Sequence, residues 1–145
     1  MKISTRGRYA VRMIVDIAEN QEDGYVALKE ISERQGISKK YLEQIVPSLT
    51  GAGLLVSGRG HMGGYKLNRR PSAYTIADIL RVTEGRLAPV ACLESDVNTC
   101  ERAENCDSLY IWRGLMEVIE KYLESITIQD ILNRKIKRND DYVLL

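Results

Sequence analysis

The run ISERQGISKKYLEQIV, residues 31–46, is followed by LLVS (54–57) and, across GRGHMG (58–63), by GYKLN (64–68); no other part of the chain restricts its fold as strongly. Leu28 and Ile31 mark a short helix in ALKEISERQ, and Gly36 stops it at a C-cap position. Ser38 is then the N-cap of a second helix, which buries Leu42, Ile45, Val46 and Leu49 on one face and shows Lys39, Lys40, Glu43, Gln44 and Ser48 on the other. Two short helices about a Gly-Ile-Ser turn, the second with a polar outer face, form a helix-turn-helix pattern. Pro47 conflicts with it locally: it removes the bond to the Glu43 carbonyl and costs about 3 kcal/mol inside a helix, so a kink or an early end is expected there.

The two short strands that follow, joined by a glycine-rich turn with Arg59 near its tip, read as a wing. Small flanking residues let the backbone approach a duplex, and one guanidinium can enter the narrow, strongly negative minor groove. The alternative is a plain surface hairpin with an incidental arginine.

Elsewhere the pattern is helical. Ala10, Ile14, Ile17 and Ala18 give a first helix of about four turns, ended by NQEDG (20–24). Residues 71–83 form a further helical segment with Thr75 as N-cap, Asp78 completing a capping box, and Ile76, Ile79 and Leu80 inward. Leu109, Trp112, Leu115, Met116, Ile119, Tyr122, Leu123 and Ile126 then form a stripe longer than one small domain needs. This predicts a long helix packing on its twin in a homodimer; an intramolecular core helix is the competing reading. Thr127 and Asp130 cap a last short helix, IQDILNR, before the tail KIKRNDDYVLL. The expected fold class is mainly α: a winged helix-turn-helix DNA-binding domain with a two-stranded wing and a long C-terminal dimerisation helix. Its expected divisions are 1–85 for the reading head, 86–107 for a cysteine loop, 108–134 for the dimerisation and short terminal helices, and 135–145 for the tail.

Charge agrees with this division. Residues 1–70 carry 12 Lys/Arg against 7 Asp/Glu, and residues 71–145 carry 9 against 13, so a basic half suited to phosphates is followed by an acidic one. On the second helix Lys40, Tyr41 and Gln44 are expected near bases or phosphates, with Ser38 at its start. Glu43 can accept from cytosine N4 and so discriminate between operators. Arg59 reads minor-groove width, Lys2, Arg6 and Arg8 grip the backbone, and His61 in the wing turn faces DNA or solvent. Arg12 and Asp16 interrupt the N-terminal apolar run, so no signal peptide or membrane partner is expected and the chain is placed in the cytoplasm. One histidine on a glycine-rich turn, without a nucleophile and base or paired carboxylates at a useful spacing, argues against an enzyme.

All three cysteines lie in CLESDVNTCERAENCDSLYIW (92–112): Cys92, Cys100 and Cys106. Their spacing does not suit structural zinc, which prefers two to four residues between paired cysteines. Soft thiolates on a loop suit an iron-sulfur cluster, and Glu94, Asp96, Glu101, Glu104 and Asp107 make this a poor setting for inert, buried thiols.

The opening KISTRGRYAVRMIVDIA, the run ISERQGISKKYLEQIV, the wing SGRGHMGGYKL, the acidic cysteine loop and the later ITIQDIL together resemble the IscR-type iron-sulfur cluster regulators, a family that also contains the nitric-oxide sensor NsrR and the cluster-free cysteine-metabolism regulator CymR. The resemblance covers about residues 1–134. It implies a dimeric repressor or activator whose cluster, 2Fe-2S or 4Fe-4S, is held by Cys92, Cys100 and Cys106 and senses cluster, redox or nitric-oxide status. In the IscR pattern a histidine three residues beyond the last cysteine is the fourth ligand, and here that position is Leu109. In the NsrR pattern an aspartate near the start of the first helix serves, and here Arg8 stands there. Asp107 first, then Glu104, Ser108, Tyr110, His61 or a non-protein ligand remain for the fourth position, and three cysteines with an open iron lean toward 4Fe-4S. The alternative is a cluster-free repressor of cysteine or sulfur metabolism genes, controlled by thiol redox state or by a protein partner.

Overall fold

The computed structural model describes residues 1–22, 24–60 and 63–136. Helix α1 (Thr5–Asn20) begins at Ser4, whose hydroxyl accepts a bond of 3.0 Å from the Gly7 amide, and buries Ala10, Met13, Ile14, Val15 and Ile17. Helix α2 (Leu28–Gln35) ends at Gly36, which takes the left-handed conformation (φ 62°) expected of a C-cap glycine. Helix α3 (Lys39–Gly51) is capped by Ser38, which accepts from the Tyr41 amide at 3.2 Å. The expected early end at Pro47 does not occur, because α3 runs through it to Gly51. Pro47 lies on the exposed side, where water can serve the released Glu43 carbonyl, while Leu42, Ile45, Val46 and Leu49 anchor both halves of the helix in the core.

Strands β1 (Leu55–Gly58) and β2 (Gly64–Leu67) pair antiparallel in the register Leu55 to Leu67 through Gly58 to Gly64. Val26, between α1 and α2, joins the sheet edge by exchanging two 2.9 Å backbone bonds with Tyr65. Gly64 is required where this happens. Its φ is 151°, and a Cβ there would collide with the Val26 carbonyl. A 3-10 turn at Pro71–Ala73 leads to Tyr74, whose fully buried hydroxyl donates to the Leu54 carbonyl at 2.6 Å and accepts from the Asn68 and Arg69 amides at 2.9 and 3.1 Å. One phenol thus ties the entry of β1 to the exit of β2.

Helix α4 (Ile76–Glu84) carries the expected Thr75–Asp78 capping box; Ala77, Ile79 and Leu80 are buried, while Ile76 is only half-buried. Two further 3-10 turns, Ala91–Leu93 and Ala103–Asn105, punctuate the cysteine loop. Helix α5 (Leu109–Glu124) follows, and α6 (Ile128–Ile136) returns the chain to its beginning. The Ile128 amide bonds to the Tyr74 carbonyl at 3.0 Å, the Ile76 amide bonds to that of Ile126 at 2.9 Å, and Ile128 is fully buried in the same core as α1, α2, α3 and the hairpin. The terminal helix is therefore part of the head, not an extension of α5. Among the described residues no helix is long and apolar enough to cross a membrane.

Candidate nucleic-acid interface and cysteine loop

The head is pinned by a buried ion. Asp16 of α1 is 1% exposed, and the Arg34 guanidinium holds both its oxygens at 2.7–3.2 Å while the Gln35 amide donates at 2.9 Å. This carboxylate raises the Arg34 pKa, chiefly through its hydrogen bonds. Since Arg34 comes from the last turn of α2, the pair fixes the angle at which the helix-turn-helix leaves α1. Sequence reading saw Asp16 only as a break in an apolar run. Its partner lies 18 positions away, and no local pattern links the two.

On α3, Lys40, Glu43 and Gln44 all face solvent, and Lys39 reaches Glu43 at 3.9 Å. That exposed i, i+4 pair contributes no more than about 0.5 kcal/mol, so Glu43 is available to exchange it for another partner. Tyr41 is half-buried, its ring edge-on to Tyr9 of α1 (5.4 Å between centroids, 73°), and Arg12 lies over Tyr9 at 5.2 Å. Tyr41 thus braces α3 as well as bordering its outer face, and Ser38 spends its hydroxyl on the cap.

Lys2 and Arg8 are exposed, and Arg8 donates to the Thr5 hydroxyl at 3.1 Å. Arg6 is half-buried and donates to the Ser48 hydroxyl of α3, so it links two helices as well as carrying charge. Arg59 is exposed at the tip of β1, while His61 lies outside the described residues. The outward groups Lys40, Glu43, Gln44 and Arg59 belong to the two elements that a winged helix presents to DNA.

The cysteine loop has a different character. Cys92 and Cys106 are half-buried and pack on a small apolar cluster of Leu93, Leu109 and Met116, with Trp112 beside them; Cys100 is exposed. The Ser108 hydroxyl lies 3.5 Å from the Cys106 sulfur, and its hydrogen bonds, side chain before backbone, lower the thiol's pKa. Among the described residues, no three of His, Cys, Asp and Glu converge on a point able to hold a metal ion. Leu109 is buried in the cluster, and Arg8 stands on α1 beside Thr5. Asp107 and Glu104, the preferred oxygen ligands, are both exposed.

The apolar residues of α5 divide between two faces, and Ile111 and Val118 of the second lie outside the expected stripe. Leu109 and Met116 are buried against the cysteine loop and Trp112 is half-buried, whereas Ile111, Leu115, Val118 and Tyr122, at i, i+4, i+7 and i+11, are 42–65% exposed on a second face. In the single chain none of the described residues covers this apolar row.

The family described as Rrf2, iron-dependent transcriptional regulator, matches residues 3–134. The HTH-type transcriptional regulator CymR of Bacillus subtilis is 38% identical over 90% of this chain and 89% of its own length. IscR of Yersinia enterocolitica is 36% identical over 93% of this chain and 81% of its own. Two solved structures superpose closely: CymR, the global cysteine regulator of B. subtilis (TM-score 0.73, 36% identity, 90% of this chain and 95% of that one), and T. potens IscR (TM-score 0.74, 36% identity, 100% of this chain and 93% of that one). These relatives are transcriptional regulators and not enzymes. With six α-helices and an antiparallel wing among its described residues, this chain belongs to the Rrf2 family of DNA-binding transcriptional regulators.

Proposed function

We propose that the chain regulates transcription as a homodimer whose grip on operator DNA is set by an iron-sulfur cluster held on the loop 86–107. The observation that carries this reading is the placement of the thiols. Cys92 and Cys106 rest on the same apolar cluster as α5, and Cys100 lies exposed on the stretch between them. Three soft thiols with solvent access fit such a cluster in chemistry. They do not converge in this structure, so ligation by all three requires the exposed stretch around Cys100 to fold over Cys92 and Cys106. When bound, a cluster supplies a centre that responds to oxidants and nitric oxide.

The protein's own groups do the rest. Ser108 favours the Cys106 thiolate, the form that binds metal. Asp107, or Glu104 after it, would provide the oxygen ligand to a bound cluster, a weak fourth contact that would leave the site labile. Ordering the loop alters how α5 is presented, and through the dimer it alters the spacing of the two α3 helices. In each half-site α3 enters the major groove, with Lys40 and Gln44 near bases or phosphates, Glu43 discriminating between sequences, and Arg59 in the minor groove.

A second reading has its own support: the absence of a converged three-donor site among the described residues, together with the CymR likeness, suits control by thiol oxidation or by a protein partner. Preparation without air separates the two. A brown protein containing iron and sulfide, both lost when Cys92, Cys100 and Cys106 are replaced by Ala, supports the cluster. A colourless protein without either element, whose DNA binding falls on mild oxidation and recovers with a thiol reductant, supports the rival.

A further inference from the structure

The first turn of α1 is held from two sides. On one side stands Glu84, the last residue of α4 and the one before Gly85, where the cysteine loop departs. A single Glu84 carboxylate oxygen accepts from the Ser4 amide at 3.2 Å and also from the Ser4 hydroxyl, which itself accepts from the Gly7 amide at 3.0 Å to cap α1. Gly7 is buried beneath this carboxylate, and a Cβ there would collide with it and come within 3.2 Å of a Leu80 methyl. A negative group at a helix N-terminus is favourable, so the contact is both a hydrogen bond and a charge-dipole interaction.

On the other side Arg6, one residue before Gly7, donates to the Ser48 hydroxyl on α3, while its Nε is buried without an acceptor. Ser48 stands one turn beyond Gln44 on the polar side of the reading helix. Residues 4–7 therefore connect the root of the cysteine loop to the helix placed to read DNA. Just beyond Glu84, Arg86 pairs with Asp96 at 2.6 Å inside the loop, so the loop's own fold bears on the same corner.

We propose that Glu84 is a positioning residue for DNA binding: through Ser4 and Arg6 it sets the seat of α3, and through Gly85 it makes that seat respond to the loop. The second half of this statement rests on the loop-controlled function proposed above; the first half does not. The test uses the full-length wild type, Glu84→Gln and Glu84→Ala, each free of metal and after anaerobic reconstitution with iron and sulfide, with duplex operator affinity and thermal melting measured for each.

Glu84→Gln keeps an acceptor in place and is expected to stay within about twofold of wild type, whereas Glu84→Ala weakens metal-free binding about fivefold with its melting temperature little changed. In Glu84→Ala the ratio of affinities between reconstituted and metal-free protein also shrinks toward one. Wild-type affinity and wild-type ratio in folded Glu84→Ala overturn the proposal, and so does equal loss in Gln and Ala. Should the wild type itself show a ratio of one, loop control fails, and the metal-free comparison alone decides the role of Glu84 in seating α3. If Glu84→Ala does not fold, Ser4→Ala, Arg6→Lys and their double variant replace it: less-than-additive loss of DNA affinity in the double variant is expected, because one break already severs the link, and simple additivity overturns it.

Discussion

The head and the arm of this molecule are finished to different degrees. In the head, α1 to α4, the hairpin and α6 share one core in which Met13, Ile14, Ile17, Leu42, Ile45, Leu49 and Tyr74 are fully buried, and Asp16, the one buried charge among the described residues, takes three hydrogen bonds from two nitrogens of Arg34 and one from Gln35. In the arm, the cysteine loop and α5 bury Leu87, Leu93, Leu109 and Met116 among the described residues, the last three as one small cluster, and they leave Ile111, Leu115, Val118 and Tyr122 in water. A region whose apolar and polar needs are met within one chain works as a rigid reader. A region left with an uncovered helix face and three separate thiols stays open to groups outside the chain, as the function proposed above requires.

The contrast is broken most severely by Arg34→Ala, which leaves the Asp16 carboxylate buried with one amide donor and is expected to cost about 3 kcal/mol in urea unfolding. Loss of less than about 1 kcal/mol would mean that water reaches Asp16 and that the head is looser than its burial indicates. Gly64→Ala, forced against the Val26 carbonyl, is expected to cost about 2 kcal/mol and to weaken DNA binding by disordering the wing.

The arm should respond in the opposite way. Val118→Glu with Leu115→Ser is expected to change the head's thermal stability little, since both side chains are exposed in the single chain. It should convert a sedimenting dimer to monomer and reduce operator affinity by about tenfold or more as the two heads separate. A monomeric wild type, or a double variant that remains a dimer, contradicts the assignment of this face.

How much of this was legible in the sequence depends on how local the cause is. Gly36, the Thr75–Asp78 and Thr127–Asp130 boxes, the α3 stripe and the hairpin are short-range signals, and each formed where expected. At Pro47 the early end alone was overturned, because the local penalty was outweighed by the buried Leu42, Ile45, Val46 and Leu49 of the same helix. The Asp16–Arg34 pair, the Tyr74 clamp and the bridge from Val26 to Tyr65 join residues 18, 20 and 39 positions apart, beyond any pattern of helical or strand period. On α5 the expected stripe grouped Leu115 and Tyr122 with the covered residues and passed over Ile111 and Val118, since an apolar period does not show what covers a helix.

Two smaller effects sharpen the comparison. The Ser108 bonds lower the Cys106 pKa, so Cys106 holds more thiolate near neutral pH than an ordinary cysteine. In mass-resolved labelling with iodoacetamide it is expected to show its half-maximal rate at a lower pH than a free thiol, and Ser108→Ala should move that midpoint up. At the α6 cap the Thr127 amide, then its hydroxyl, hold the Asp130 pKa below the ordinary carboxylate value. Its contribution is therefore complete above the unfolded-state pKa and is lost as pH falls through the lower folded value, so Asp130→Asn should narrow the stability gap to wild type under acid.

The central claim is that the arm governs the head. It is tested most directly by measuring duplex operator affinity, at one fixed salt concentration and without air, for wild type before and after reconstitution with iron and sulfide and for the Cys92→Ala, Cys100→Ala, Cys106→Ala triple variant treated identically. A change of at least about fivefold is expected in the wild type and none in the triple variant. Equal affinities in all four preparations, with iron and sulfide demonstrably bound to the wild type, would contradict it.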